Sequence, residues 1–376
     1  METSLLNRDK GGDTDQRKSA DRKSDRAVPG HDPGSRAASG VKAINLALQG
    51  GGAHGAFTWG VLDRLLEDGR IVIEGISATS AGAMNATVTA FGIAEGGRAG
   101  ARQALVNFWR RVSHAADFSP LQPTWADRML GNKSLDNSPA FLMVDMLTRL
   151  LSPYQFNPTN YNPLREVLSQ VVDFEALRVG SCPVKLYLSA TNVRTGKVKV
   201  FGNDEINVDA VMASGCLPFL FQAVEIDGEA YWDGGYMGNP AIYPLIYHCL
   251  SRDVVIVHIN PMERKELPRS ASEILNRINE ISFNSSLMRE MRAINFVTDL
   301  IEGDMVKTDA LKKMHIHSVS AEDAMSKLSV ASKLNADWGF LCELRDTGRA
   351  TAEAWLARNF DRLGNESTID IHATYL

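Results

Sequence analysis

The sequence offers little that would tie it together covalently or seat it in a bilayer. Its four cysteines, Cys182, Cys216, Cys249 and Cys342, are scattered without CxxC spacing. That argues against a disulfide framework and suits reduced, mostly structural thiols of an intracellular protein. No uncharged apolar run is long enough to span a membrane, and the N-terminus has no hydrophobic h-region, so no cleavable secretory signal is expected. The expected location is the cytoplasm, with peripheral contact at a membrane left open. A net charge of −5 over 376 residues provides no global field toward nucleic acid or anionic lipid. No nucleic-acid partner is therefore expected. Histidines and carboxylates form no ligand-spaced cluster, so no metal is expected, and no internal repeat is visible. What remains is ordinary: 44% apolar and 23% charged residues, enough for one large or two ordinary domains with a sizeable core.

Residues 1–40 are rich in Asp, Lys, Arg, Ser and Gly and nearly devoid of apolar side chains after Leu6. Such a tail cannot offset its ordering entropy and reads as disordered. From Val41 the pattern becomes structural. Val41 to Leu48 alternates and is strand-like, and is followed by the loop Gln49-Gly50-Gly51-Gly52-Ala53-His54-Gly55. An amphipathic helix through Phe57, Val61, Leu62, Leu65 and Leu66 stops at Gly69, the strand Ile71 to Ala78 follows, and a further helix spans Ala81 to Phe91. This βαβα run predicts a parallel sheet covered by helices. Another helix is expected from Gly97 to Val112.

Residues 113–163, rich in Pro, Asn, Trp and Met, read as an irregular insertion over or beside the site, containing a helix near Phe141–Leu151. Its bulky residues (Trp125, Met129, Leu130, Phe141, Met143) could line an acyl pocket or simply form local core. Further strands are expected at 184–191, 198–201, 224–226 and 254–259, the last a continuous β-branched run suited to burial on both faces. Helices are expected at 208–214, from Ser272 to Glu302, and at 350–360. An edge strand is expected from Leu311 to Val319, with His315 and His317 on one face in a structural or surface role. The organisation is thus a tail at 1–40, a catalytic core at 41–250 and, at 251–376, a remaining core strand with a helical region not clearly a separate domain.

Three features carry chemistry. The stretch Ile71 to Asn85 has the form of a nucleophile elbow, with Ser80 lifted from a strand end by a tight turn among Ala78, Ala81 and Gly82. The usual pattern has Gly at the Ala78 position. The loop Gly50-Gly51-Gly52-Ala53-His54-Gly55, at a strand-to-helix junction, presents backbone N–H groups to a phosphate or an oxyanion. It also fits the G-x-G-x-x-G dinucleotide fingerprint, with Glu74 at about the distance of a ribose-binding carboxylate. Taken alone it serves equally as a structural turn. Successive parallel strands end at one sheet edge, so loop and serine should be neighbours. Finally, Asp233 sits where a strand breaks into Gly234-Gly235 and could accept the hydroxyl proton if burial raised its pKa. By itself it reads as an Asp-Gly turn residue.

Taken together and in this order, the glycine loop, Ala78-Thr79-Ser80-Ala81-Gly82 and Asp233-Gly234-Gly235 resemble the patatin-like phospholipase family, with supporting likeness at Ala190-Thr191-Asn192 and at Ala213-Ser214 with Leu217-Pro218. The resemblance covers about Ala43 to Leu245. It implies a three-layer α/β/α sandwich with a mostly parallel central sheet. It also implies Ser80 as nucleophile, Asp233 as base, and an oxyanion hole from the amides of residues 50–55. The activity implied is carboxylic ester hydrolysis of phospholipids or related lipids without metal or nucleotide cofactor, with transient membrane-surface contact and no stated oligomeric state. His54 departs from the family's usual Arg or Lys, and Ala78 from its usual Gly. Competing readings are a lipid acyltransferase using the same dyad, a dinucleotide-binding protein using the glycine loop, and a catalytically idle scaffold.

Overall fold

In the computed structural model the described residues are 40–117, 119, 135, 138–178, 182–264, 266–306 and 311–376. The tail 1–39 and the pocket candidates Trp125, Met129 and Leu130 lie outside them. Eight strands make one sheet: β1 Lys42–Leu48, β2 Ile71–Ala78, β3 Lys185–Asn192, β4 Val198–Phe201, β5 Val224–Ile226, β6 Glu229–Asp233, β7 Asp253–Val257 and β8 His315–Val319. The helices are α1 Gly55–Asp68, α2 Ala81–Ala116, α3 Pro139–Leu150, α4 Pro153–Phe156, α5 Pro163–Val171, α6 Phe174–Arg178, α7 Val208–Ser214, α8 Tyr243–His248, α9 Ala271–Glu302, α10 Glu322–Met325, α11 Trp338–Asn359 and α12 Ile371–Tyr375.

The strand order is β5-β6-β3-β2-β1-β7-β8, with β4 also on β3. Strands β3, β2, β1, β7 and β8 run parallel, while β4 and β6 pair antiparallel with β3, and β5 antiparallel with β6. The sheet is mixed but mostly parallel, as the βαβα pattern predicted. Alternation in the central strands assigns the two faces. Ile44, Leu46 and Leu48 of β1 and Val255 and Val257 of β7 join the larger core with α1, α2, α7 and α11. Ala47, Val254 and Ile256 join a second core with α8, α9 and α12. The β-branched run of β7 is continuous because both its faces are covered. Each such aliphatic side chain contributes about 1.5–3 kcal/mol when fully buried.

The two helices expected at 81–91 and 97–112 are one run with a break. Gly96 (φ −149°) and Gly97 (φ 61°) leave the helical region between them, and the second part continues to Ala116. Asp227 (φ 52°) and Gly228 (φ 78°) form the β5–β6 turn, the mirror-image geometry that suits the twist of a hairpin. Strand β8 lies at the sheet edge, as expected. His315 and His317 are buried rather than at the surface, and both face Asp253, with His317 Nε2 2.9 Å from its Oδ1. Burial opposes the Asp253 charge, but these histidines and the Gly364 N–H outweigh it and hold the carboxyl well below the usual carboxylate range.

The helix expected at 350–360 is α11, which begins at Trp338, twelve residues earlier, and Asp337 caps it by accepting from Phe340 N–H; the short α12 follows it. In the insertion, α3 buries none of its residues, and Met143 is exposed rather than enclosed in a pocket. No helix among the described residues is long and apolar enough to cross a membrane.

Candidate active site

Strand register explains how distant segments reach one place. On one edge of β3, Leu188 to Thr191 pair with β4. The opposite edge is shared: Leu188 pairs with Ala78, the last residue of β2, and two residues on Ala190 pairs with Asp233, the last residue of β6. Strand β6 runs against β2, so the two strands meet end to end, and the elbow after Ala78 faces the carboxylate at Asp233. On the other side of β2, β1 pairs Leu48 with Ala78, which sets the glycine loop beside the same elbow.

Ser80 adopts φ 56° and ψ −123°, a conformation that non-glycine residues rarely take. Such geometry costs of order 1–3 kcal/mol and persists only where surroundings enforce it. Here the enforcement is visible. Ser80 N–H donates to Ser214 Oγ at 2.9 Å, and that hydroxyl donates to Ser189 O at 2.7 Å. Thr79 N–H bonds to Leu48 O, and Thr79 Oγ1 donates to Gly238 O at 2.6 Å. Small neighbours make room: a Cβ on Gly50 would stand 2.7 Å from Ser80 Cβ, and one on Gly82 would strike the Leu48 carbonyl. Ala78 is fully buried at the end of β2, so its methyl is accommodated.

Asp233 is 1% exposed. Its Oδ1 accepts the Gly235 N–H at 2.7 Å, while Oδ2 is buried without a hydrogen-bond partner among the described residues. A side chain on Gly234 would collide with the Ser189 carbonyl, so the turn after Asp233 requires glycine there. Burial raises the Asp233 pKa from 3.8 to about 6, against the opposing pull of the Gly235 N–H, the Ser80 hydroxyl and the Lys333 charge. The Ser80 hydroxyl thus acts on the carboxylate from close by, though Oδ2 is left without a closed hydrogen bond. Asp233 in turn helps burial push the Cys216 thiol and the Tyr236 hydroxyl up to about 12.

The donors of the glycine loop divide into two sets. Gly50 N–H is engaged by Asn239 Oδ1 at 2.7 Å, His54 N–H by Gly51 O, and Gly55 N–H by the carbonyls of Gly52 and Ala53. The N–H groups of Gly51, Gly52 and Ala53 make no hydrogen bond among the described residues. They stand at the start of a helical turn, where N–H groups lack intrahelical partners. His54 is buried, with Nε2 2.7 Å from Ser332 Oγ, and burial together with the Lys333 charge lowers its pKa well below 6.5. It is neutral and held away from any role as base. Glu74, weighed as a ribose-binding carboxylate, instead accepts from Leu250 N–H and Ser251 N–H and pairs with Lys185. It lies in mid-strand, away from the loop's end of the sheet.

Two contacts on the glycine loop come from residues outside the sequence motifs. Asn239 holds Gly50, with its own N–H on Ser286 Oγ at 3.2 Å. Lys333, from a short turn at Ala331–Leu334, lies over the loop. An Asn-Pro pair and a lone Lys in a polar stretch carry no local signal of either role.

The sequence profile of the patatin-like phospholipase family matches residues 46–246, more than half of the chain. The chain belongs to that family. No curated protein sequence matches it. Among solved structures it is similar to VipD from Legionella pneumophila, at 16% identity and TM-score 0.34 over 81% of this chain and 67% of that one. It is also similar to the type III effector ExoU, at 14% identity and TM-score 0.31 over 85% of this chain and 54% of that one. ExoU in complex with SpcU from Pseudomonas aeruginosa matches at 16% identity and TM-score 0.29, over 81% and 53%. The chain thus spans about half the length of the ExoU chains.

Proposed function

We propose that the chain is a serine acyl hydrolase of phospholipid or related lipid esters, with Ser80 as nucleophile, Asp233 as base, and Gly51, Gly52 and Ala53 as oxyanion donors. One observation carries the reading: a serine on a positive-φ elbow stands beside a buried aspartate whose pKa is lifted toward neutrality and whose Oδ2 lacks a partner. Ser80 Oγ attacks the ester carbonyl carbon as its proton passes to Asp233. Charge on the carbonyl oxygen falls on the loop N–H groups, which are fixed in advance and need no reorganisation. Collapse of the intermediate breaks the ester C–O bond, and Asp233 returns the proton to the leaving alcohol. Water then attacks the acyl-serine, losing its proton to Asp233. The second collapse releases the carboxylic acid and restores Ser80. No cofactor enters this scheme. Contact with the lipid surface is transient, and the exposed Leu142, Met146 and Leu150 of α3 suit it.

A fluorophosphonate probe, with the labelled peptide mapped by mass spectrometry, should mark Ser80. Ser80→Ala should abolish labelling and lower turnover of a p-nitrophenyl acyl ester by at least ~10²–10³-fold while leaving the fold intact. Full turnover in that variant would remove the proposal. Product analysis with an added acceptor alcohol separates hydrolysis from acyl transfer.

A further inference from the structure

The turn at Ala331–Leu334 lies outside the family match and touches the glycine loop at two points. Ser332 Oγ meets His54 Nε2 at 2.7 Å. A Cβ on Gly52, which sits at φ 60°, would collide with the Lys333 carbonyl and come within 3.3 Å of Lys333 Cβ. From there the Lys333 side chain runs inward. Part of the residue faces solvent, but its ammonium end is enclosed. Nζ donates to Asn260 Oδ1 at 2.9 Å, and Asn260 Nδ2 donates to Gly50 O at 2.7 Å. Gly50 is the residue packed on Ser80 Cβ. Lys333, Asn260 and Gly50 thus form a chain of contacts that ends on the elbow. No carboxylate lies within ion-pair distance of Lys333 among the described residues, because the nearby Glu280 pairs with Arg264 at 2.5 Å and Arg277 at 3.1 Å. An enclosed ammonium with one of its three donors engaged is costly unless negative charge is near. Glu280 acts on that charge most strongly and is opposed by Arg264; Asp233 also lies within its range, and the neutral His54 does not compete.

We propose that Lys333 is a positioning residue for acyl transfer: through Asn260 it fixes the loop end that packs on Ser80, and its charge favours the ionised Asp233 and a developing oxyanion at the loop. This rests on the Ser80–Asp233 reading above. The charged and titratable groups around the pair are few. Facing Lys333 are Glu280, Arg264, His54 and Asp233; facing Asp233 are Cys216, Tyr236, Ser80 and Lys333. Cys216 and Tyr236 titrate far above the working range. Burial lowers the Lys333 pKa from 10.5 to about 8, so its charge is lost on the alkaline side while Asp233 stays ionised.

The test is a set of pH profiles of kcat and KM on a p-nitrophenyl acyl ester, with fluorophosphonate labelling in parallel, for the full chain and for Lys333→Met and Lys333→Arg. The unsubstituted protein should lose kcat as pH rises through about 8. Lys333→Met should move the acid limb of kcat/KM up by a few tenths of a unit, since Lys333 is the weakest of the three groups that hold the Asp233 pKa down. It should also lower plateau kcat by about tenfold or more, with KM within about twofold. Lys333→Arg, which stays charged, should keep the acid limb in place and lose the alkaline one. A Lys333→Met enzyme with unchanged limbs and plateau overturns the proposal. Should the variants not fold, a flat kcat from pH 7 to pH 10 in the unsubstituted protein overturns it as well. A folded protein that neither labels at Ser80 nor hydrolyses the ester overturns the dyad reading, and this proposal with it. Labelling and turnover that are indifferent to Lys333 overturn this one alone.

Discussion

Replacing Asp233, the proposed base, should make the protein more stable while removing the proposed ester hydrolysis. Burial lifts the Asp233 pKa from 3.8 to about 6, which corresponds to about 3 kcal/mol against the ionised form in the folded state. The sign follows from proton uptake. The folded carboxyl holds its proton more tightly than the unfolded one. Above pH 6 both states are ionised and the whole penalty is present. As pH falls from 6 toward 3.8 the folded state is protonated first and the penalty fades. Asp233→Asn removes the charge and keeps an oxygen for the Gly235 N–H. Urea denaturation should therefore show a gain of about 3 kcal/mol at pH 8, about half that at pH 5, and about 0.5 kcal/mol at pH 4. In a folded unit of this size the pH 8 gain is a rise in Tm of about 4 °C. Turnover should fall by about 10³-fold or more, since no group remains to take the serine proton. A loss of stability at pH 8, or an equal gain at pH 4 and pH 8, would refute the argument that burial of this charge sets its pKa.

Two further outcomes follow from the same geometry. The acid limb of kcat/KM for the unsubstituted protein should fall with unit slope near pH 6, because only the ionised Asp233 can accept a proton; a limb near pH 4 would point to an exposed carboxylate instead. Gly52→Ala and Gly196→Ala form a matched pair at φ 60° and 66°, the first with its Cβ on the Lys333 carbonyl and the second in open space. Thermal melts should show about 1 kcal/mol lost at Gly196 and roughly 2–3 kcal/mol at Gly52, where strain and collision add. Equal losses would mean that the turn at 331–334 does not press on the loop.

The half of the site that is local in sequence was legible. β1, the glycine loop, α1, β2 and the Ser80 elbow form one contiguous βαβα run, and each boundary carries its own glycine or small residue. Asp233 reads in the sequence as a turn residue able to serve as a base, and only the resemblance chooses between the two. Its meeting with Ser80 depends on β6 pairing antiparallel with β3 on the edge that β2 vacates, and no spacing rule encodes that. The sequence signal for α11 begins at 350 rather than at Trp338 because Gly339, Thr347 and Gly348 lower helix propensity. Gly348 is present for a tertiary reason: a Cβ there would strike the Phe57 carbonyl of α1, just as one on Gly60 would strike the Arg345 carbonyl. Lys333 and Asn260 were unreadable for the same reason, since a single Lys and a single Asn announce nothing until the chain returns to the loop.

The sheet order has a consequence for where this polypeptide can be cut. The profile match ends at residue 246, yet β1, at the centre of the sheet, has β7 and then β8 on its far side. A fragment stopping at the match would bare the backbone of Asn45, Leu46, Ala47 and Leu48 along an apolar, unguarded border and strip α1 of the helix that crosses it at Gly60. Such a border recruits strands from neighbouring molecules, so the shortened chain should precipitate or assemble into fibres rather than behave as a smaller enzyme.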